Sequence, residues 1–202
     1  RIELLQTIET LALEKTIKAI VITAPERTFL AGADIKEFGK DIDAPILSKI
    51  CDKIETLDKI VVASLHGTPL GGGLEVAMSA HYRIAAPNTK VGLPEVLLGI
   101  LPGAGGTQRL PRLCGVPMAL DMMLTGKHVP VREAFENGIV DEIAQDNKSV
   151  DNGIAYAKKL IKEGANVRPT SKIDDKIKNI EEIQNVITKF RAEASKKYKN
   201  LF

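Results

Sequence analysis

Hydrophobic residues along the first half of the chain fall into two spacings, one typical of helices and one typical of buried strands. Residues 2–13 and 46–57 carry apolar side chains three and four positions apart, and this spacing predicts one helix over residues 1–15 and another over residues 46–57. Residues 18–23, 60–65 and 82–86 are short, largely apolar runs, and each predicts a buried strand. Because strands alternate with helices, the pattern predicts an α/β fold with a parallel sheet covered by helices.

The second half of the chain begins with a glycine- and proline-rich stretch, residues 92–106, which predicts a long loop. Helical patterns follow at residues 117–124, 130–137 and 151–163, and residues 141–144 predict a last short strand. These elements complete a core that we expect to span residues 1–163.

A separate C-terminal segment is expected at residues 164–202. It starts with a linker over residues 164–171 and continues as an amphipathic helix with lysines and glutamates outside its apolar face. That face packs either on its own domain or on another chain or domain, and the pattern leaves both open. The apolar face is formed by Ile173, Ile177, Ile180, Ile183, Ile187 and Phe190.

Composition narrows the class of protein. The 202 residues are 44% hydrophobic and 27% charged, which suits one globular core, and a net charge of +2 does not indicate nucleic-acid binding. No apolar run is long enough to span a bilayer. Cys51 and Cys114 have no ligand-spaced partner, so we expect two buried, reduced thiols. We expect no metal site, because His66, His81 and His128 lie far apart in sequence.

Three consecutive glycines, Gly71, Gly72 and Gly73, follow the second predicted strand and open a helix. Glycines there let the backbone approach a ligand and turn sharply. The free N–H groups and the dipole at a helix N-terminus favour an anion or a polarised carbonyl oxygen. A tight turn without a ligand explains three glycines as well.

Two glutamates flank this turn. Glu75 lies in the first turn of the predicted helix, where the dipole alone would favour it. Glu95 follows Pro94 among apolar residues, so its carboxylate must be paired, hydrogen-bonded or shifted in pKa. Together the two residues suggest a pair of acid–base groups that face one site.

Two further runs of small residues have candidate roles. The run from Ala31 to Asp34 could turn a backbone N–H toward a pocket, although a turn before a short helix capped by Asp34 explains it almost as well. Gly103 and Gly105 begin a sequence like a dinucleotide fingerprint. Gln108 stands at the third glycine position, however, and the run follows a loop rather than a strand, so the Rossmann interpretation fails.

In combination and order, these motifs resemble the crotonase (enoyl-CoA hydratase/isomerase) superfamily. The resemblance is strong from residue 18 to residue 144, and it implies a spiral of ββα units followed by C-terminal helices. The family's first strands are missing from this chain, which starts at Arg1 inside a helical pattern, so we expect it to be a piece of a larger domain. The matching motifs are Ala31-Gly32-Ala33-Asp34, Gly71-Gly72-Gly73-Leu74-Glu75, Leu93-Pro94-Glu95 and Pro102-Gly103-Ala104-Gly105-Gly106-Thr107-Gln108-Arg109.

The resemblance implies a role for each site residue. The N–H groups of Ala31 and Gly72 would form an oxyanion hole for the thioester oxygen, where loss of one donor typically costs ~10²–10³ in rate. Glu75 and Glu95 would hold and activate one water, for hydration of 2-enoyl-CoA in fatty-acid β-oxidation. The substrate-binding positions that the resemblance implies are Ala33, Asp34, Ile35, Gly71, Gly73, Pro94 and Gly103.

The resemblance also implies partners. The ligand would be an acyl-CoA thioester, with no cofactor beyond its coenzyme A, and no nucleic acid or membrane. Residues 81–85 and 91–104 are most similar to the amino-terminal hydratase part of peroxisomal bifunctional enzymes, which favours the peroxisome over the mitochondrial matrix. A fused dehydrogenase part is then expected, whereas a stand-alone relative would form a trimer or hexamer. Thr68-Pro69 departs from the family pattern, and because proline lacks an N–H we expect a slightly altered loop there.

Three functions remain open from the sequence. Hydration leads, with Δ3,Δ2-enoyl-CoA isomerisation as an additional activity of the same pocket, because both glutamates are present. A second hypothesis is another crotonase reaction, such as thioester hydrolysis or dehalogenation. The third is a non-catalytic or RNA-binding member of the superfamily, which the small net charge and the intact glutamates disfavour.

Overall fold

The computed structural model describes residues 1–25, 27–30, 32 and 44–197 of the chain. The strands are β1 (Ala19–Ile22), β2 (Ile60–Leu65), β3 (Tyr82–Ala85), β4 (Lys90–Val91), β5 (Val129–Pro130) and β6 (Glu142–Ile143). The helices are α1 (Ile2–Leu13), α2 (Leu47–Glu55), α3 (Gly72–Ser79), α4 (Gly106–Cys114), α5 (Val116–Thr125), α6 (Val131–Glu136), α7 (Ser149–Lys162) and α8 (Ile180–Lys197). Short 3-10 helices lie at Glu95–Leu98 and Thr170–Lys172.

Four strands form a parallel sheet in the order β1-β2-β3-β6. The predicted α/β class and the four predicted strands are therefore confirmed. β4 and β5 form a separate antiparallel pair in which Val91 faces Val129. The sequence did not predict this pair, because two residues are too few for an alternating pattern to appear.

Every residue of β2 is buried, since helices cover both faces of the sheet. Ile60 and Val62 pack against α7, together with Ile84 of β3. Val61 and Ala63 point to the opposite face, into the main core that α1, α2 and α3 cover. The candidate site lies on that second face, because β2 leads directly into the glycine turn before α3.

Two predicted elements need correction. The loop predicted at 92–106 is followed at once by α4, which the sequence analysis left out because Pro111 lies inside it and interrupts the helical pattern. The amphipathic helix predicted from Ile173 begins only at Ile180. Ile173 instead follows the 3-10 helix and packs against the main core.

Several smaller expectations can be compared with the structure. Cys51 and Cys114 are free and buried, as predicted. Helix α8 contacts α5 of the same chain. No described helix is both long and apolar enough to cross a bilayer. The division at residue 163 into a core and a C-terminal segment stays a prediction.

Candidate active site

The glycine triplet joins β2 to α3 through a turn that a neighbouring loop holds in place. Leu70 pairs in parallel with Gly92, and the N–H of Gly71 donates to the carbonyl of Gly92 at 3.0 Å. Gly71 has a φ of 53°, in the left-handed region that favours glycine. Gly72 is the first residue of α3, so its N–H has no acceptor within the helix.

Leu30 and Gly32, just before and within the run of small residues, lie against this turn. A Cβ atom on Gly73 would sit 1.8 Å from the carbonyl oxygen of Leu30, so only glycine fits there. A Cβ on Gly32 would lie 3.8 Å from the nitrogen of Gly72. The sequence-predicted residues Ala31, Ala33, Asp34 and Ile35 lie outside the described residues, and their roles stay predictions.

Glu75 is buried in the first turn of α3, with 3% of its surface exposed. Its Oε1 accepts hydrogen bonds from the N–H groups of Ala104 and Gly106, each at 2.7 Å. The loop that resembles a dinucleotide fingerprint therefore binds the protein's own carboxylate. Because two donors hold one oxygen, the direction of the Glu75 side chain is fixed.

Glu95 begins the 3-10 helix on the other side of the turn and is also buried, with 9% exposure. Its Oε1 lies 3.1 Å from the position that a Cβ of Gly71 would occupy. Among the described residues, its Oε2 has no hydrogen-bond partner. A buried carboxylate oxygen without a partner is costly unless the carboxyl is protonated or a ligand binds it.

The surroundings raise the pKa of both carboxyls above the ordinary value. For Glu75, burial raises the pKa, while the N–H groups of Gly106 and Ala104 and the charge of Arg109 oppose the rise. For Glu95, burial again raises the pKa, the residue's own backbone N–H lowers it, and the negative charge of Glu75 raises it further. The charge of Glu75 therefore favours the protonated form of Glu95.

The structure thus brings Gly71, Glu75 and Glu95 together beside the start of α3. Pro94 lies next to them, where its carbonyl accepts from Leu97 and starts the 3-10 helix. Gly103 is exposed, and a Cβ on it would meet nothing within 4 Å, so its neighbour Ala104 rather than Gly103 itself makes the contact with Glu75.

Pro69 is buried in the chain before the turn. Its missing N–H is not needed there, because the N–H of Thr68 bonds to the Thr28 side chain at 2.8 Å and the turn is held beyond Leu70.

Sequence analysis missed the residues that hold Glu75. Ala104 and Gly106 were assigned only to a motif, and Arg109, which donates to the carbonyl of Ala104, was given no role. The available signal was an arginine three residues after the glycine pair at a helix start, but its partner Glu55 is 54 residues away. Within the described residues, no group of three histidine, cysteine or carboxylate side chains is placed to hold a metal.

This arrangement can carry out acid–base chemistry on a ligand whose carbonyl oxygen is polarised by the N–H groups at the start of α3. One carboxylate is oriented by main-chain donors, the other has an oxygen free to bind, and the N-terminus of α3 supplies N–H groups for an oxygen that gains charge.

Comparisons with known proteins agree with this chemistry. The family model described as enoyl-CoA hydratase/isomerase matches residues 1–199. The peroxisomal bifunctional enzyme of Danio rerio is 47% identical over 142 residues, which are 70% of this chain and 20% of that protein. The glyoxysomal fatty acid beta-oxidation multifunctional protein MFP-a of Cucumis sativus is 38% identical over 194 residues, or 92% of this chain and 27% of that protein.

Among solved structures, an enoyl-CoA hydratase from Bacillus anthracis is 34% identical, with a TM-score of 0.73, and the match covers 79% of this chain and 64% of that one. The chain spans only about a fifth to a quarter of the curated relatives that it matches.

Proposed function

Since the chain belongs to the enoyl-CoA hydratase/isomerase family and has its crotonase fold, we propose that it hydrates 2-enoyl-CoA thioesters in fatty-acid β-oxidation. The observation that carries the proposal is the pair of buried carboxylates, Glu75 and Glu95, on either side of the glycine turn at the start of α3. No cofactor is required beyond the coenzyme A that the substrate carries.

In the proposed reaction, the thioester oxygen accepts hydrogen bonds from the N–H groups of Ala31 and Gly72. The oxygen of a water molecule bonds to C3 of the enoyl chain while C2 takes a proton, so negative charge passes through the thioester oxygen as an enolate. Fixed N–H donors stabilise that charge without reorganising, typically by ~2.7–4 kcal/mol for one donor.

The two glutamates have different roles in this proposal. Two N–H groups already stabilise the carboxylate of Glu75, which therefore takes the proton from the attacking water. Glu95 has an oxygen without a partner among the described residues and feels the charge of Glu75, so it holds the proton that goes to C2. Transfer of a proton from Glu75 to Glu95 then restores the starting pair.

The test is hydration of crotonyl-CoA by Glu75→Gln and Glu95→Gln. We expect each variant to lose ~10²–10⁴ in kcat, because a positioned acid or base is removed while the shape of the site is kept. Binding of coenzyme A, measured by calorimetry, should stay within about twofold. Glu136→Gln, at an exposed position on α6, is the matched control. Wild-type turnover in one site variant would remove that glutamate from the mechanism and would contradict the proposed pair.

We also propose Δ3,Δ2-enoyl-CoA isomerisation in the same pocket. Isomerisation needs one ionised carboxylate that takes a proton from C2 and returns it to C4, and Glu95, whose Oε2 has no partner among the described residues, suits that role when it does not carry the proton used in hydration. Glu75→Gln should then abolish hydration and leave isomerisation of a 3-enoyl-CoA largely intact, whereas Glu95→Gln should abolish both.

The named relatives support a setting for this activity. Bifunctional relatives from peroxisomes suggest that the chain works in the peroxisome, as the hydratase part of a longer protein with a fused dehydrogenase part. Imaging of the intact protein against a peroxisomal marker tests the location, and light scattering of the purified protein distinguishes a fused arrangement from a stand-alone trimer.

A further inference from the structure

A buried arginine lies behind the proposed catalytic pair and takes no part in the reaction described above. Arg109 is on α4, and its side chain is 6% exposed. Its Nη1 donates to the carbonyl oxygen of Ala104 at 2.9 Å. Its Nη2 donates to Glu55 at 2.9 Å and to Asp52 at 3.0 Å.

The carbonyl that Arg109 binds lies between the two donors to Glu75 along the chain. The N–H of Ala104 precedes it, the N–H of Gly106 follows it, and both donate to the same oxygen of Glu75. The Ala104 carbonyl shares its planar peptide group with the N–H of Gly105, and the two donating N–H groups belong to the peptide groups on either side of it. Fixing this carbonyl therefore restricts both donors through the backbone dihedrals of Ala104 and Gly105.

Gly105 makes room for this contact. Its φ is 96°, and a Cβ atom there would lie 2.3 Å from Nη1 of Arg109, so a side chain would displace the guanidinium. The loop is therefore shaped around the arginine as well as around the glutamate.

The far side of Arg109 is anchored to rigid elements. Glu55 is buried at the end of α2, where its other oxygen accepts from the N–H of Ser171 in the second 3-10 helix at 2.7 Å. Burial acts to raise the pKa of Glu55, but the hydrogen bonds from Arg109 and Ser171 hold it below its ordinary value, so Glu55 is ionised at neutral pH.

We propose that Arg109, anchored by Glu55, is a positioning residue that sets the direction of the Glu75 side chain and favours its ionised form. The proposal rests on the hydratase function assigned above. It predicts that Arg109 acts on catalysis through the loop of Ala104 and Gly106 and makes no contact with the substrate.

The charged and titratable groups near Glu75 determine in which direction the loss of Arg109 shifts the pKa of Glu75. They are Arg109 on α4, Glu95 on the first 3-10 helix and Cys51 on α2. Arg109 is the cation of this set, and its charge lowers the pKa of Glu75. Removal of that charge should raise the pKa of Glu75 and move the acid limb of the kcat/KM profile to higher pH.

Three variants of the intact protein separate charge from geometry. Arg109→Gln should lower kcat about 10- to 100-fold with KM nearly unchanged, and it should shift the acid limb upward. Arg109→Lys keeps the charge but cannot reach Ala104 and Glu55 together, so kcat should fall while the acid limb stays in place. Arg112→Gln, at a half-buried arginine on the same helix that donates only to the carbonyl of Gln108 among the described residues, should match the wild type in both.

A readout besides activity keeps this inference separate from the proposed function. The carboxyl carbon of Glu75 can be titrated by ¹³C NMR, with Glu75→Gln to assign the signal. A shifted titration in Arg109→Gln, in a protein that does not hydrate crotonyl-CoA, would support positioning while contradicting the hydratase function. Wild-type kcat, pH profile and Glu75 titration in Arg109→Gln would overturn the positioning role. A changed melting temperature alone would overturn it too.

Arg109→Gln leaves Glu55 buried without its partner, so this variant could fail to fold. The double variant Glu55→Gln, Arg109→Gln buries no unpaired charge and so avoids this problem. Its kcat and the titration of its Glu75 then test the inference. A lowered kcat and a raised Glu75 titration in the double variant support the inference, and wild-type values in both overturn it.

Discussion

The α-carbon of Gly73 approaches the carbonyl oxygen of Leu30 so closely that a methyl group has no space between them. This close approach places Leu30 directly against the start of α3. Because residue 73 has only a hydrogen atom where other residues have a side chain, the two segments proposed to form the oxyanion hole can lie this close together. Other glycines nearby are less constrained, and Gly103 faces open space.

We expect Gly73→Ala to destabilise the protein by about 1–3 kcal/mol or more, because the backbone of α3 or of Leu30 must move. Hydration should fall as well, since that movement displaces Gly72. Thermal unfolding and crotonyl-CoA turnover measure the two effects. Gly103→Ala is the stability control, where the added methyl meets nothing and the melting temperature should hold or rise slightly. Equal melting temperatures in the two variants would contradict the close approach.

At the scale of elements, α7 and the sheet form a second apolar cluster away from the site. Leu160 and Tyr156 of α7 pack on Ile60 and Val62 of β2. Gly153 brings the helix close, because a Cβ there would lie 2.6 Å from the side chain of Val21. This cluster stabilises the sheet from the face opposite the glutamates.

Leu160→Ala should therefore cost about 2–5 kcal/mol of stability and leave kcat of the folded protein unchanged. Its neighbour Ile161 is 39% exposed on the same helix, so Ile161→Ala should cost far less and serves as the matched control. Urea unfolding gives the free energies. A large loss of kcat in Leu160→Ala, at a temperature where the variant is folded, would show that this face does influence the site.

The sequence predicted the elements with strong patterns and missed those without. The six consecutive buried residues of β2 and the helical stripe of α2 were visible because one or both faces are apolar. Helix α4 was missed because Pro111 interrupts it, and the start of α8 was placed too early because Ile173 continues the apolar spacing without the helix. The spacing of apolar residues indicates which face of an element is buried, but it does not fix the residue at which a helix begins.

At the scale of the whole molecule, the buried carboxyls respond to pH in opposite directions. Glu55 has a lowered pKa when folded, so its contribution to stability is present above the ordinary value of 4.5 and is lost as pH falls. Glu95 has a raised pKa when folded. Its contribution is present below 4.5 and is lost as pH rises through the folded-state pKa.

Glu95→Gln should accordingly be more stable than the wild type at pH 8 and nearly equal to it close to pH 4.5. The variant removes a charge that burial disfavours, and at low pH the wild-type carboxyl is already neutral. Urea unfolding at pH 5 and pH 8 measures the change, with the exposed Glu136→Gln as control. A stability difference that shrinks as pH rises would contradict a raised pKa for Glu95.

The two candidate acid–base residues could be found from the sequence, but the residues that hold Glu75 in position could not. Glu75 and Glu95 stood out because one follows a glycine triplet and the other is surrounded by apolar residues. Arg109 entered only as the last residue of a motif and Glu55 had no predicted role, since the contact between them joins α4 to α2 only in three dimensions. Local spacing cannot show a hydrogen bond that the folded chain creates.

The donors to Glu75 are amides, and every amino acid except proline carries one. A substitution at Ala104 that changes its methyl group, other than to proline, therefore keeps the N–H that donates to Glu75. The position of the Glu75 carboxylate is in this respect set by the path of the backbone and not by the side chains of its two donors. A redesign for a different reaction would have to replace Glu75 or change the backbone conformation of the loop that binds it.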